Sequence, residues 1–269
     1  MKINPTVHKS SMSKLAITAL ICCASVLTSL RPSLAQGFDK AALGAAIASA
    51  EREVTDFVRD DVRKPIEVLE FLGLAEGMTV LDLYAAGGYY TFILAKAVGP
   101  EGVVYAQNTP RGRRFIEDRQ DITQGEALDQ KIAKGKLNNV QQIIAPLEDI
   151  GIQAESLDLI LVAQTLHDYY NPNPARALEM LLSLRRLLKP GGVIGITDHI
   201  GLPGFNNKEL HRLEIDLAAE VATQAGFKVE QSQILRVSND DHSRSIFDPR
   251  LNRATDRFLL KLSKPRQPH

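Results

Sequence analysis

The sequence predicts an α/β protein built on a doubly wound sheet, and three observations lead there. Val80-Leu81-Asp82-Leu83-Tyr84-Ala85-Ala86-Gly87-Gly88-Tyr89-Tyr90-Thr91 reads as a buried strand, a small-residue turn and the first residues of a helix. Strand-length apolar runs then alternate with helical segments down the chain, the repetition that places helices on both faces of a parallel sheet and a ligand at the carboxyl ends of its strands. Sharp helix stops, Lys189-Pro190-Gly191-Gly192 and Gly226, precede two of the later runs.

Taken in order, residues 38–58 are alanine-rich with Leu43, Ile47, Val54, Phe57 and Val58 at helical spacing, and predict one amphipathic helix against the domain. Arg59-Asp60-Asp61-Val62-Arg63-Lys64 follows, either a surface salt-bridge cluster or a group that reaches the amino-acid end of a ligand. Pro65 suits the first turn of a short helix over 66–72, ended by Gly73. The first strand covers 80–83, and a helix starts at Tyr89. Gly99-Pro100-Glu101-Gly102 turns the chain into a second strand at 103–106. Residues 111–136 are charged and predict a helix, and 140–144 a third strand. Leu157 to Val162 is a fourth, apolar enough to be buried on both faces. Asn171-Pro172-Asn173-Pro174 opens a helix over 175–188, with Leu178, Leu181, Leu184 and Leu188 on its apolar face. Strands at 193–197, 227–235 and 257–262, and a helix over 208–225, complete a single domain without internal repeats.

The chain has 269 residues, 44% hydrophobic and 24% charged, enough for one sizeable core. Basic and acidic residues balance at 32 each, but Lys2, Lys9, Lys14 and Arg31 all fall before residue 36, where there is no acid. The remainder is slightly acidic, which argues against a nucleic-acid partner. A basic start, the apolar run from Leu15 to Leu30 and Ser33-Leu34-Ala35 predict an export signal over 1–35, cleaved after Ala35, with the periplasm as the expected location. Met12 is an alternative start. The run is short for a membrane span, so no stable anchor is expected after cleavage. Residues 36–269 then form the functional domain, with a helical extension over about 38–72. Cys22 and Cys23 lie in the signal, so that domain has no cysteine.

The first turn selects among cofactors. A dinucleotide site wants G-x-G-x-x-G for the pyrophosphate, and that pattern is absent. Asp82 followed by Ala86-Gly87-Gly88 suits a nucleoside cofactor of the S-adenosylmethionine (SAM) type, held by an acidic strand end and a loose small-residue turn at a helix N-terminus. Tyr89 and Tyr90 either wall that cofactor or pack in the core.

At this point the chain resembles the class I SAM-dependent methyltransferases. The resemblance rests on Gly77-Met78-Thr79-Val80-Leu81-Asp82, on Leu187-Leu188-Lys189-Pro190-Gly191-Gly192 and on Gln224-Ala225-Gly226-Phe227, and covers about residues 60–264. More narrowly it is similar to an exported "predicted methyltransferase" group, through Gly87-Gly88-Tyr89-Tyr90-Thr91, Leu166-His167-Asp168, Asp198-His199, Leu210-His211-Arg212, Asp240-Asp241-His242 and Thr255-Asp256-Arg257-Phe258. The resemblance implies a Rossmann-like, seven-stranded sheet with the last strand antiparallel. It further implies SAM held by Asp82, Ala86, Gly87, Gly88 and Tyr89. Two departures stand out. Tyr84 and Ala86 replace the first two glycines of the usual acidic-x-Gly-x-Gly-x-Gly turn. Gln107 and Asn108 stand where the second strand usually ends in the acid that takes the ribose hydroxyls, a loss of about 1 kcal/mol for a neutral partner.

Methyl transfer needs orientation and exclusion of water more than acid–base chemistry. His167 and Asp168 follow strand four, Asp198 and His199 follow strand five, and His242 lies beside Asp240 and Asp241. These are the candidate catalytic residues. One histidine acts as general base oriented by a carboxylate, or His167, Asp198, His199 and His242 hold a metal, or the group caps strands and fixes loops. None of these spacings is a metal-ligand motif, so no metal is assigned. The expected function is methyl transfer from SAM to a small-molecule acceptor. The alternative is an exported methyltransferase-like fold that binds another ligand or carries a metal or hydrolytic centre at the histidine–aspartate cluster.

Overall fold

The computed structural model describes residues 37–117, 120–251 and 254–266. The predicted export signal lies outside them. The helices are α1 (Lys40–Ile47), α2 (Val54–Arg63), α3 (Pro65–Leu72), α4 (Tyr89–Val98), α5 (Gln124–Lys134), α6 (Leu166–Tyr170), α7 (Pro174–Leu187), α8 (Asn207–Leu210) and α9 (Ile215–Gln224). The strands are β1 (Thr79–Leu83), β2 (Val103–Asn108), β3 (Val140–Ile144), β4 (Leu157–Ala163), β5 (Leu188–His199), β6 (Lys228–Ser232) and β7 (Arg257–Ser263). They form one sheet in the order β3-β2-β1-β4-β5-β7-β6, with β7 antiparallel to both neighbours. This is the expected seven-stranded, doubly wound architecture. No helix among the described residues is long and apolar enough to cross a membrane.

Alternating residues divide the core into two layers. Leu81, Leu83, Ile160, Val162, Ile194 and Ile196 face α7 and α9, while Val80, Leu159 and Leu161 face α1, α3 and α4. A strand buried on both faces must be apolar at successive positions, and β4 meets that demand. The strand order reverses between β1 and β4, which leaves a crevice at their carboxyl ends, where Asp82, Asn108 and Ala163 arrive together.

Three predicted helices are broken, two of them by a polar side chain that the core takes in. The segment 38–58 divides at residues 48–53. Arg52, 2% exposed, donates from Nη1 to the Ile47 carbonyl at 3.0 Å, closing the end of α1, and forms a fork with Asp60 at 2.6 and 2.9 Å. The next helix then turns a polar face inward: Asp56 is fully buried, whereas Val54 and Val58 are exposed. Asp56 is held by Lys131 Nζ at 2.6 Å and Arg59 at 2.7 Å. Within 111–136 only α5 is α-helical, started by a capping box between Thr123 and Glu126. The preceding residues form one 3₁₀ turn at 112–114 and a bridge between Ile116 and Thr123. The segment 208–225 breaks between α8 and α9, because buried Arg212 forms a fork with Asp240 at 2.7 and 2.9 Å and Leu213 N–H donates to the His199 carbonyl at 2.9 Å.

Helix and sheet approach closely over Gly195 of β5. A Cβ there would fall 2.3 Å from Leu72 Cδ1 of α3. Overpacking of this kind costs about 1–3 kcal/mol. Gly195→Ala is therefore expected to lower the denaturation midpoint in urea, and adding Leu72→Ala should return less than the sum of the two single losses.

Candidate cofactor and acceptor site

The turn after β1 sets the site. Tyr84, Ala86 and Gly88 have φ of 53°, 50° and 81°. These are the three positions that carry glycine in the usual turn, so the chain keeps the left-handed backbone with two non-glycine residues in it. Each such residue costs about 1–2 kcal/mol. The end of β2 supplies the restraint. Gln107 Oε1 accepts from Tyr84 N–H at 3.0 Å, and the Gln107 carbonyl accepts from Ala85 N–H at 2.9 Å. Asn108 clasps Ala86 from both sides, Oδ1 accepting from its N–H and Nδ2 donating to its carbonyl, each at 3.0 Å. Gln107 Nε2 donates to the Ala145 carbonyl at 2.7 Å.

This changes the role expected of Gln107 and Asn108. Their carboxamides are bound to backbone groups, and Gln107 is fully buried, away from the cavity wall. They build the turn, and of the two only Asn108 reaches the cavity wall. The acid beside the turn is Glu117, which the sequence reading placed in a helix. Its Oε1 accepts from Arg59 at 3.1 Å, and its Oε2 lies so near Gly87 that a Cβ there would be 2.2 Å away. Gly88 is doubly constrained, by its positive φ and by Leu128, 2.6 Å from where its Cβ would be.

Asp82, Tyr84, Ala86, Gly87, Tyr89 and Asn108 line one cavity of about 940 Å³ together with Arg59, Arg63 and Glu117. That volume lies at the upper end of the range for small-molecule sites, about 300–1,000 Å³. Asp82 is buried and accepts from Thr91 Oγ1 at 2.6 Å. Burial pushes its carboxyl up to about 6, against the Thr91 hydrogen bond and the charges of Arg63 and Lys131. Tyr89 Oη donates to Asp60 at 2.7 Å, and its ring lies under Arg63 at 4.3 Å. Arg63 has no ion pair with any described residue, and its buried Nε lacks a hydrogen-bond partner. Burial, then the neighbouring Arg59, lower its affinity for its proton. Of the two readings of the 59–64 cluster, the one in which it reaches a ligand fits Arg63.

The predicted catalytic residues separate into three places. Asp168 lines the cavity, beyond the turn, with Gln164, Thr165 and Tyr169. Tyr169 and Tyr84 share a short hydroxyl–hydroxyl hydrogen bond. His167 lies just behind. Its Nδ1 is 2.8 Å from Asp198 Oδ1, its backbone N–H donates to Asp198 Oδ2 at 2.9 Å, and its Nε2 is 3.3 Å from Asp168 Oδ1. Burial opposes the imidazolium, but Asp198 and Asp168 outweigh it and raise His167 to about 10. It therefore holds its proton at neutral pH and does not serve as a general base. His199 is buried, bonded through Nδ1 to Thr255 Oγ1 at 2.6 Å. Burial, and then Arg257, keep it neutral. His242 packs against Asp256 at 3.3 Å, beside the Arg212–Asp240 pair. Neither His199 nor His242 reaches the cavity wall. The expected four-residue metal set is thus dispersed, and His211 joins His167 and Asp168 instead, with its Nδ1 3.8 Å from Asp168 Oδ1.

A sheet of this order with a left-handed turn, a buried acid and a guanidinium without an ion pair at one crevice suits a nucleoside-type cofactor. A family described as methyltransferase domain matches residues 119–196. The arsenite methyltransferase of Halobacterium salinarum is 26% identical over 136 residues, 50% of this chain and 30% of that protein. The demethylmenaquinone methyltransferase of Geobacillus stearothermophilus is 28% identical over 127 residues, 47% of each chain. The chain thus spans less than half the length of these curated relatives. A SAM-dependent methyltransferase structure from Aquifex aeolicus superimposes with a TM-score of 0.56 at 23% identity, covering 77% of this chain and 92% of that one. Residues 119–196 thus match a methyltransferase domain, the sheet has the fold of a SAM-dependent methyltransferase, and these likenesses point to SAM as the cofactor.

If the β2 carboxamides hold a strained turn, relieving the strain should stabilise the fold. Ala86→Gly is expected to raise stability by about 1 kcal/mol, about 2–4 °C in Tm for a chain of this size. Asn108→Ala, which leaves both backbone groups of Ala86 without that partner, should lower it by about 1–3 kcal/mol. Differential scanning calorimetry checks both.

Proposed function

We propose that this chain transfers a methyl group from SAM to a small-molecule acceptor. The observation that carries the reading is the pairing of Arg63 and Asp82 across the left-handed turn. A half-buried guanidinium without a carboxylate partner and a buried carboxylate suit the two charged ends of an amino acid, and the turn beside them admits a nucleoside at close backbone approach. Arg63 would hold the carboxylate of the methionine part, Asp82 its ammonium, and Glu117 the ribose hydroxyls beside Gly87. Bound SAM supplies an electrophilic methyl on a sulfonium. The protein's part is then to exclude water and to align the acceptor. Asp168, Thr165 and Tyr169 form the far wall of the same cavity, and Asp168 stays ionised because His167 holds its pKa below the usual carboxylate value against the effect of burial. Asp168 orients an acceptor hydroxyl or amine, while Asp198 positions His167.

The named relatives act on chemically unlike acceptors, arsenite in one case and demethylmenaquinone in the other, so no particular acceptor is carried over. The matches support methyl transfer over a hydrolytic centre. Residues 1–35 support an exported location on the basic start, apolar run and Ser33-Leu34-Ala35; fractionating cells that express the full chain, with N-terminal sequencing of the mature form, tests this.

Calorimetric titration with SAM and S-adenosylhomocysteine tests the cofactor reading. Micromolar binding is expected, weakened about 10–100-fold by Asp82→Ala or Arg63→Ala, the value of a charged hydrogen bond. Absence of binding at millimolar ligand would remove the reading. The pH dependence follows from Asp82. A cofactor ammonium favours the carboxylate, so binding releases a proton where the free protein holds the carboxyl at about 6. Affinity should therefore climb from about pH 5 to about pH 7 and level off above, and this slope should vanish in Asp82→Asn.

A further inference from the structure

We infer that His167, Asp168 and His211 form a site for one divalent transition-metal ion at the acceptor rim of the cavity. Nε2 of His167, Oδ1 of Asp168 and Nδ1 of His211 all lie within 4.8 Å of one another. Two of the three separations are 3.3 and 3.8 Å. Ligands about 2.1 Å from a common ion stand about 3.0 Å apart at a right angle and about 3.4 Å apart in a tetrahedron. A small inward turn of two side chains therefore closes the set, and these two are the free ones: the side chains of Asp168 and His211 are 59% and 40% exposed, whereas that of His167 is 5% exposed.

Three further observations support a ligand set over a chance cluster. His167 is fixed as metal-binding histidines are: Nδ1 bonds to the buried carboxylate of Asp198, which sets the ring plane and leaves Nε2 as the outward nitrogen, whose proton an incoming ion displaces. Asp198 also accepts from the backbone N–H of both His167 and His199, so the orienting carboxylate is itself immobile. His211 adopts φ 54°, a left-handed conformation uncommon for a histidine, at the break between α8 and α9. The buried Arg212 beside it, anchored to Asp240 and to the Ile200 carbonyl, holds that break in place and turns the His211 ring to within 5.5 Å of His167 and 4.8 Å of Phe247, ring centre to ring centre.

Two imidazoles and one carboxylate on one side of an ion leave the remaining positions open. This donor set suits iron(II), cobalt(II), nickel(II) or zinc, and suits magnesium or calcium poorly. Asp168 and Phe247 belong to the cavity wall, so a small molecule in the cavity can complete the coordination through an oxygen donor. The acceptor class is then a compound with a hydroxyl, phenol or carboxylate able to bind a metal. That last step rests on the methyltransferase reading; the ion site does not.

The test is titration of the untagged full chain with cobalt(II), read by its visible absorption bands and by calorimetry, with SAM titrated separately. One cobalt(II) per chain is expected. His211→Asn keeps a residue that tolerates the left-handed backbone while removing the imidazole, and Asp168→Asn alters an exposed side chain; each should weaken binding at least tenfold without a change in the thermal melt. Asp198→Asn should weaken it about 10–100-fold through His167 alone. Wild-type protein that takes up no cobalt(II), or uptake unchanged in both His211→Asn and Asp168→Asn, overturns the proposal. SAM binding with no cobalt(II) binding refutes the ion site alone; cobalt(II) binding with no SAM binding leaves the site and removes its role in methyl transfer.

Discussion

The restraint that the rest depends on is the grip of β2 on the turn after β1. Gln107 and Asn108, at the last two positions of the strand, bond to Tyr84, Ala85 and Ala86 through four hydrogen bonds. Without them, the two left-handed non-glycine residues Tyr84 and Ala86, one residue apart, would relax toward the right-handed or extended regions. The helix start at Tyr89, the approach of Glu117 to Gly87 and the position of Asp82 all follow from that turn. A glycine-rich loop achieves the same path by removing Cβ atoms; this chain achieves it by hydrogen bonding. The exchange explains why the ribose acid is missing from the strand end: the strand end is already occupied.

Much of the architecture was legible because it rests on apolar periodicity and on stop signals. The succession of strands along the chain, the end of α7 at Leu187 before Lys189-Pro190-Gly191-Gly192 and the proline-started α3 needed nothing beyond the local sequence, whereas the seven-stranded sheet with its antiparallel last strand came from the family resemblance. Two of the failures share one cause. Nothing in the local sequence marks Arg52, Asp56 and Arg212 as buried, since charged side chains are seldom fully buried, yet each is inside and each redirects the chain. Their partners lie far off in sequence: Lys131 for Asp56, Asp240 for Arg212. Only one miss had a local cue, the Thr123-x-x-Glu126 capping box that starts α5 and frees the residues before it to run over the site.

The candidate site shows the same division. Asp82, Ala86, Gly87 and Tyr89 were identifiable from the turn itself, and all four line the cavity. Glu117 was not, and Arg63 only as one member of the 59–64 cluster, because nothing in the sequence says which charged side chains of a polar stretch point inward. The histidine–aspartate pairs were correctly placed at strand ends, but adjacency in sequence did not tell which ring faces the cavity. On β5 Asp198 and His199 point to opposite sides, so Asp198 meets His167 while His199 turns to Thr255. His211, passed over as a candidate, comes to His167 only because Arg212 breaks the helix.

Arg63 links folding to occupancy. Its guanidinium has given up much of its hydration against Tyr89 and Tyr90 without a protein carboxylate in return, and Arg59 adds repulsion. An anion that binds there relieves an electrostatic burden already present in the folded chain. Part of its binding energy is thus the removal of a folding penalty, and any ligand that binds only the native form raises native stability in proportion to the logarithm of its concentration. The protein's resistance to unfolding is consequently a property of its surroundings as well as of its core. Two compartments that differ in the supply of that ligand would hold the same chain at different margins of stability.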